Sequence, residues 1–150
     1  MAVLNVENII VNQDYKDKKE IFKAIGNKAF EAGVIENEEA FVKGLFEREE
    51  EMSTGFERGI AIPHTLNDTV KDATILIVKN NRDVTWDQEG KQINFVICLA
   101  IPKNGGSTHI RLLSSVARKL VDEEFTDRLL SCKEAEEIYN CLSDAVDNQA

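Results

Sequence analysis

Ile93-Asn94-Phe95-Val96-Ile97-Cys98-Leu99-Ala100-Ile101 constrains this chain more than any other segment. Eight of its nine side chains are apolar. A strand with one face in water alternates apolar and polar residues, and this one does not. It has to be covered on both faces, at the centre of a sheet. A second buried strand is expected over Thr74 to Val78, apolar and β-branched with charge on either side. The link between them is too short for a crossover helix, so the two are expected to run antiparallel. Within that link Asn80-Asn81-Arg82-Asp83 reads as a turn, Val84 to Trp86 as a short strand and Asp87 to Lys91 as a turn around Gly90. Ile9-Ile10-Val11 reads as a first strand.

Helical signals flank the strands. Asp17-Lys18-Lys19-Glu20 has the pattern of a capping box, and Ile21, Phe22, Ile25, Ala29 and Phe30 follow on one face. Gly33 suits a C′ position. Asn37 can cap a second helix that buries Phe41, Val42 and Leu45 and carries Arg48 and Glu49 near its end. After the break at Pro102-Lys103-Asn104-Gly105-Gly106, Ser107 or Thr108 can cap a helix with Leu112, Leu113, Val116, Ala117 and Leu120 inward. Phe125 to Leu130 reads as a short helix. Ser131-Cys132-Lys133-Glu134 reads as a capping box opening a last helix, with Ala135, Ile138, Leu142 and Ala145 inward. The expected fold is α/β: one domain over residues 1–150, an α/β/α sandwich around a mixed parallel and antiparallel sheet.

Charge and cysteine content narrow the function. A net charge of −9 argues against nucleic acid as a partner. Neither a membrane-spanning apolar run nor a signal peptide is present, so a cytoplasmic location is expected. Cys98, Cys132 and Cys141 form no C-x-x-C spacing and no disulfide framework, and Cys98 reads as a core residue. The acidic run Glu47, Glu49, Glu50, Glu51 and Glu57 is either a solvated helix face or a rim that steers a basic protein.

The chemistry concentrates on the segment Ile60-Ala61-Ile62-Pro63-His64. Pro63 has no N–H for a ladder, so His64, one of only two histidines, is expected at the tip of a strand, on a rigid turn facing a cleft. The other, His109, falls in the first turn of a helix, where unpaired N–H groups and the dipole favour an anion. Arg48 adds a fixed cation with forked donors, and Arg58 is its equal on spacing alone. A neutral imidazole with one nitrogen tied by a hydrogen bond can attack phosphorus with the other. The phosphoryl oxygens then need donors already in place. His64 as acceptor with His109 and an arginine as clamps meets those needs. Two distant histidines without an H-x-x-x-H pattern make a poor metal site.

The stretch Arg48-Glu49 … Ser53-Thr54-Gly55 … Gly59-Ile60-Ala61-Ile62-Pro63-His64, with His109-Ile110-x-Leu112-Leu113-Ser114 downstream, resembles the enzyme IIA domains of the bacterial phosphoenolpyruvate-dependent sugar phosphotransferase system, fructose/mannitol superfamily. The likeness covers nearly the whole chain. It implies that His64 accepts a phosphoryl group from the phosphocarrier protein HPr, as tele-phosphohistidine. The group then passes to an enzyme IIB partner, which serves the membrane component enzyme IIC. It implies that His109 and Arg48 stabilise the transferring group, with Thr54 and Arg58 as phosphate or docking support, and that no metal or organic cofactor is used. Two positions depart from the family pattern. Thr65 stands where glycine or alanine is usual, and Arg58 where asparagine or glutamate is frequent. A regulatory, nitrogen-related member of the same family is the alternative, and a plain metal- or ligand-binding module is a third reading. The sugar is not legible, because enzyme IIA touches phosphoproteins rather than carbohydrate.

Overall fold

The apolar run forms β5 (Gln92–Pro102), the strand around which the sheet is built. It pairs antiparallel with β4 (Thr74–Thr85) on one side. On the other it pairs parallel with β2 (Ile60–Ala61) and β3 (His64–Asn67). The far side of β4 takes β1 (Ile9–Gln13) in parallel register, Ile9 opposite Ile77. The computed structural model describes residues 3–104, 106–144 and 146, with backbone alone over 106–110.

Both faces of β5 are buried, as its composition requires. Phe95, Ile97, Leu99 and Ile101 join one apolar cluster. It is closed by α3 (Gly106–Val121), α4 (Glu123–Ser131) and α5 (Ala135–Ser143) through Leu112, Val116, Leu120, Phe125, Leu129, Ile138 and Leu142. Val96, Cys98 and Ala100 join the other. That one is closed by α1 (Lys18–Glu31) and α2 (Glu38–Glu51) through Ile21, Phe22, Ile25, Ala29, Phe41 and Leu45. The result is the α/β/α sandwich with a mixed sheet. Burial pushes the Cys98 thiol far up, consistent with an inert core residue.

Local signals behave as expected at several ends. The Asp17 side chain accepts from Glu20 N at 2.9 Å and that of Asn37 from Ala40 N at 3.0 Å. Gly33 has φ of 76°, the left-handed conformation that ends α1.

Several expectations are corrected. Phe30 is 51% exposed, because Ala29 already occupies the inward stripe and the next residue lies about 100° further round the helix. The Asn80–Asp83 turn does not exist: β4 runs through it, with a register irregularity between Lys79 and Val84. Asn80 is buried there and supplies the missing partners itself, accepting from Tyr15 N and donating to Tyr15 O and Arg82 O. The capping box at Ser131 is displaced by three residues. Ser131 belongs to the end of α4, its hydroxyl donating to Arg128 O at 2.7 Å. Glu134 is the N-cap of α5, and Glu137 accepts from the N–H groups of Lys133 and Glu134. Finally, His64 is not the tip of a strand. The edge strand breaks at Ile62-Pro63 and resumes, so His64 opens β3 opposite Leu99, and Leu99 N donates to Pro63 O at 2.9 Å. An edge position tolerates the missing N–H of Pro63. Ser107 and Thr108, expected as helix caps, lie inside the first turn of α3, whose backbone is already helical at Gly106; their side chains and Ala145 lie outside the described residues.

Candidate functional site

α2 delivers its last turn beside the start of β3, and the approach is close because of Gly44. A Cβ on Gly44 would lie 2.5 Å from Asn67 Nδ2 and 2.9 Å from Thr65 Oγ1. Asn67 Nδ2 donates to Ala40 O at 3.2 Å and helps hold the two elements together. Between them opens a groove of about 390 Å³ lined by Gly44, Glu47, Arg48, Glu51, His64, Thr65, Leu66 and Asn67. His64 is half-buried within it.

Both ring nitrogens of His64 are engaged. Nδ1 lies 3.0 Å from Ile62 O, and a carbonyl only accepts, so Nδ1 carries the proton. Nε2 then holds the lone pair, and it accepts from Arg48 Nε at 3.2 Å. Arg48 is itself held by its Nη1 donating to Met52 O at 2.9 Å. Burial of the ring is the main cause that lowers the pKa of His64 below the ordinary value. The Ile62 carbonyl opposes that shift, the Arg48 charge adds to it, and Glu49 and Glu51 pull the other way. The ring is therefore neutral near pH 7, with its nucleophilic nitrogen facing a guanidinium in an open groove.

The other expected residues divide. Thr54 is buried behind the groove rather than in it. Its N–H donates to Glu49 Oε1 at 3.2 Å and its hydroxyl to Glu49 Oε2, so it braces the end of α2. Arg58 does not join His64: it pairs with Asp127 of α4, both side chains substantially exposed. Its left-handed φ of 63° directs the chain into β2. Arg48 is thus the cation at the ring, and Arg58 ties the preceding turn to the opposite helical layer. The backbone of α3 puts His109 in its first turn, as expected, and its side chain lies outside the described residues.

Glu49, expected with its acidic neighbours on a solvated face or a steering rim, is turned inward instead, and Lys18, Trp86 and Asp87, given no role from the sequence, stand behind it. The Glu49 side chain is 4% exposed and meets Lys18 Nζ at 3.5 Å. Trp86 Nε1 donates to Thr54 Oγ1 at 3.4 Å, and Lys18 Nζ lies 5.3 Å from the Trp86 ring centroid. Trp86 is the sole tryptophan, at the end of a strand, and that was the one signal pointing to it. Ser53 completes the brace through Asp87 Oδ2 at 2.7 Å.

Among the described residues no three His, Cys, Asp or Glu side chains gather as a metal site. No helix among them is long and apolar enough to cross a membrane.

Comparison with known proteins bears on nearly the whole chain. Residues 2–145 match the family described as phosphoenolpyruvate-dependent sugar phosphotransferase system, EIIA 2. The chain is 31% identical over 140 residues to the multiphosphoryl transfer protein of Shigella flexneri, covering 93% of this chain and 17% of that protein. It is 28% identical to the fructose-like EIIA component of Escherichia coli K12, covering 86% and 88%. Nitrogen regulatory protein IIA-Ntr from Neisseria meningitidis superposes with a TM-score of 0.85 at 27% identity, covering 94% of this chain and 97% of the other. This chain belongs to the EIIA 2 family of the phosphoenolpyruvate-dependent sugar phosphotransferase system.

Proposed function

We propose that this chain is a phosphoryl relay for carbohydrate uptake, with Nε2 of His64 taking the phosphoryl group from phospho-HPr and yielding it to an enzyme IIB partner. The observation that carries this reading is the two-sided grip on the ring. Ile62 O fixes the proton on Nδ1, which leaves the Nε2 lone pair in the groove. In the transfer the N–P bond of the donor histidine breaks as the Nε2–P bond forms. Nδ1 keeps its proton, and positive charge developing on the ring is met by the Ile62 carbonyl. Arg48 has to release Nε2 and turn its N–H groups to the phosphoryl oxygens, a small motion for a side chain already 3.2 Å away. His109, at the N-terminal turn of α3, supplies a second donor to those oxygens in this reading. In the onward transfer the Nε2–P bond breaks as a nucleophile of enzyme IIB bonds to phosphorus, and Nε2 regains its lone pair.

Glu47 and Glu51 line the groove beside Arg48. Their charge suits a basic docking face, and it disfavours a dianionic phosphoryl group at rest. Both effects fit a carrier that must give up its cargo. The likeness to the fructose-like EIIA component supports a transport role. The likeness to IIA-Ntr supports the second reading, in which phosphorylation of His64 controls binding to another protein.

The test uses phosphoenolpyruvate, enzyme I and HPr. The chain gains an acid-labile, base-stable phosphoryl group, and His64→Ala abolishes it; labelling that survives in His64→Ala contradicts the assignment. Adding the candidate enzyme IIB then separates the readings: transfer to it supports relay, and retention on His64 supports regulation.

A further inference from the structure

The groove side of the site explains how Arg48 meets His64. It leaves the buried carboxylate on the next residue without a function. Glu49 is not part of the groove lining, and both its oxygens accept from Thr54, with Oε1 also meeting Lys18 Nζ at 3.5 Å. Thr54 O in turn accepts from Ile62 N at 2.9 Å, within a short antiparallel pairing that sets Gly55 opposite Ala61. Ile62 O receives the His64 Nδ1 proton. The path Glu49, Thr54, Ile62, His64 Nδ1 therefore starts one residue from Arg48, which holds His64 Nε2. The two grips on the ring close into a loop of hydrogen bonds anchored on the last turn of α2.

We propose that Glu49 is a positioning residue for the transfer, holding Thr54 and Ile62 so that the His64 ring keeps its Nδ1–H tautomer with Nε2 toward Arg48. The proposal rests on the relay reading for the reaction it serves. The chemistry of the group explains the choice of residue. A carboxylate can accept from the Thr54 N–H and O–H at once, whereas an amide offers one oxygen and turns an NH2 toward the other donor. Lys18 supplies the counter-charge that lets the carboxylate sit at 4% exposure, and Trp86 holds the Thr54 hydroxyl from the far side. Glu49 is absent from the lining of the His64 groove, so it acts on the reaction through the ring and not through the phosphoryl group.

The test compares wild type with Glu49→Gln, Thr54→Val, Thr54→Ser and His64→Ala. Two quantities are read: the single-turnover rate of phosphorylation against phospho-HPr concentration, and the 15N shifts of His64 in the unphosphorylated chains. Glu49→Gln is expected to lower the saturating rate about 10- to 100-fold, the scale of a misplaced reacting group. The half-saturating phospho-HPr concentration should stay within about twofold, as for loss of an interaction that does not serve binding. His64 should change from a single Nδ1–H tautomer to a mixture with Nε2–H. Thr54→Val should follow in the same direction, and Thr54→Ser should match wild type. Wild-type rate and tautomer in Glu49→Gln overturn the proposal. If Glu49→Gln does not fold, the Thr54 pair decides, and equal behaviour of Val and Ser overturns it. Failure of the wild type to take up phosphoryl on His64 is failure of the relay reading. In that case the tautomer comparison still decides whether Glu49 sets the ring.

Discussion

Arg48 and Arg58 lie on either side of the same short segment, 16 and 6 residues ahead of His64, and they end in opposite kinds of surroundings. Arg48 comes off the last turn of a helix docked on the sheet, half-buried, with its guanidinium fixed between Met52 O and His64 Nε2. Arg58 sits in a tight turn with a left-handed backbone, and its side chain, 42% exposed, reaches an aspartate that is 66% exposed on α4. A charge held at two points in a partly desolvated groove acts strongly on its neighbour. A charge paired in water does little to either partner. What separates the two is the structure behind them: Glu49, Thr54, Lys18 and Trp86 brace the first.

The sharpest way to break this contrast is to remove each arginine. Arg48→Met should lower the rate of phosphoryl uptake by about 10²–10³, the usual cost of losing one preorganised donor at developing charge. Arg58→Met should leave that rate within about twofold, since its pair is exposed. Rapid-quench phosphorylation assays with phospho-HPr decide, and comparable losses in the two variants would erase the distinction.

Gly44 tests the docking that brings Arg48 into place. Ala at this position adds a methyl against Asn67 and Thr65, and overpacking costs about 1–3 kcal/mol. The gain in helix propensity offsets about 1 kcal/mol of that. The expected net loss is roughly 0–2 kcal/mol in urea unfolding, with a larger relative loss in transfer rate as α2 moves off β3. A more stable Gly44→Ala chain with full activity would show that the close approach is not needed.

For Arg58 the expectation concerns backbone rather than charge. Ala keeps the φ penalty, while Gly removes it, worth about 1 kcal/mol. Arg58→Gly should therefore be more stable than Arg58→Ala by about that amount, against the usual order of these residues. Thermal unfolding of the two variants checks the sign.

The smallest effect is on titration. The native pKa of His64 is depressed, chiefly by burial. Between that value and the ordinary value near 6.5, the unfolded chain binds more protons than the folded one. This group's contribution to stability is thus complete above about pH 6.5 and is lost as pH falls through the window below it. Arg48→Met should move the His64 pKa up, because the arginine charge is one cause of the depression, and Arg58→Met should leave it in place. An imidazole titration by NMR reads both.

Much of the fold was legible because it is written in local pattern. The unbroken apolar run of β5 required two covered faces, and caps such as Asp17 and Asn37 work within three residues of themselves. Pattern failed where partners distant in the chain override it. Asn80 looks like a turn residue until Tyr15, 65 positions away, takes up its amide. Pro63 looks like the end of a strand until β5 carries the ladder past it. The site divides the same way. His64 and Arg48 were visible as residue types suited to phosphoryl chemistry. The choice of Arg48 over Arg58 depended on Asp127, and the brace behind Arg48 depends on Lys18 and Trp86, all far off in sequence. Glu49 was hidden by its company, one acid in a run of acids, and only its burial sets it apart.

Transfer through this site turns on one atom, Nε2 of His64. The direct measurement is 15N–31P NMR on the chain labelled with 15N-histidine, after incubation with phosphoenolpyruvate, enzyme I and HPr. The expected result is phosphorus coupled to Nε2 of His64, with Nδ1 still protonated. Coupling at Nδ1, at His109 or at neither histidine would contradict it.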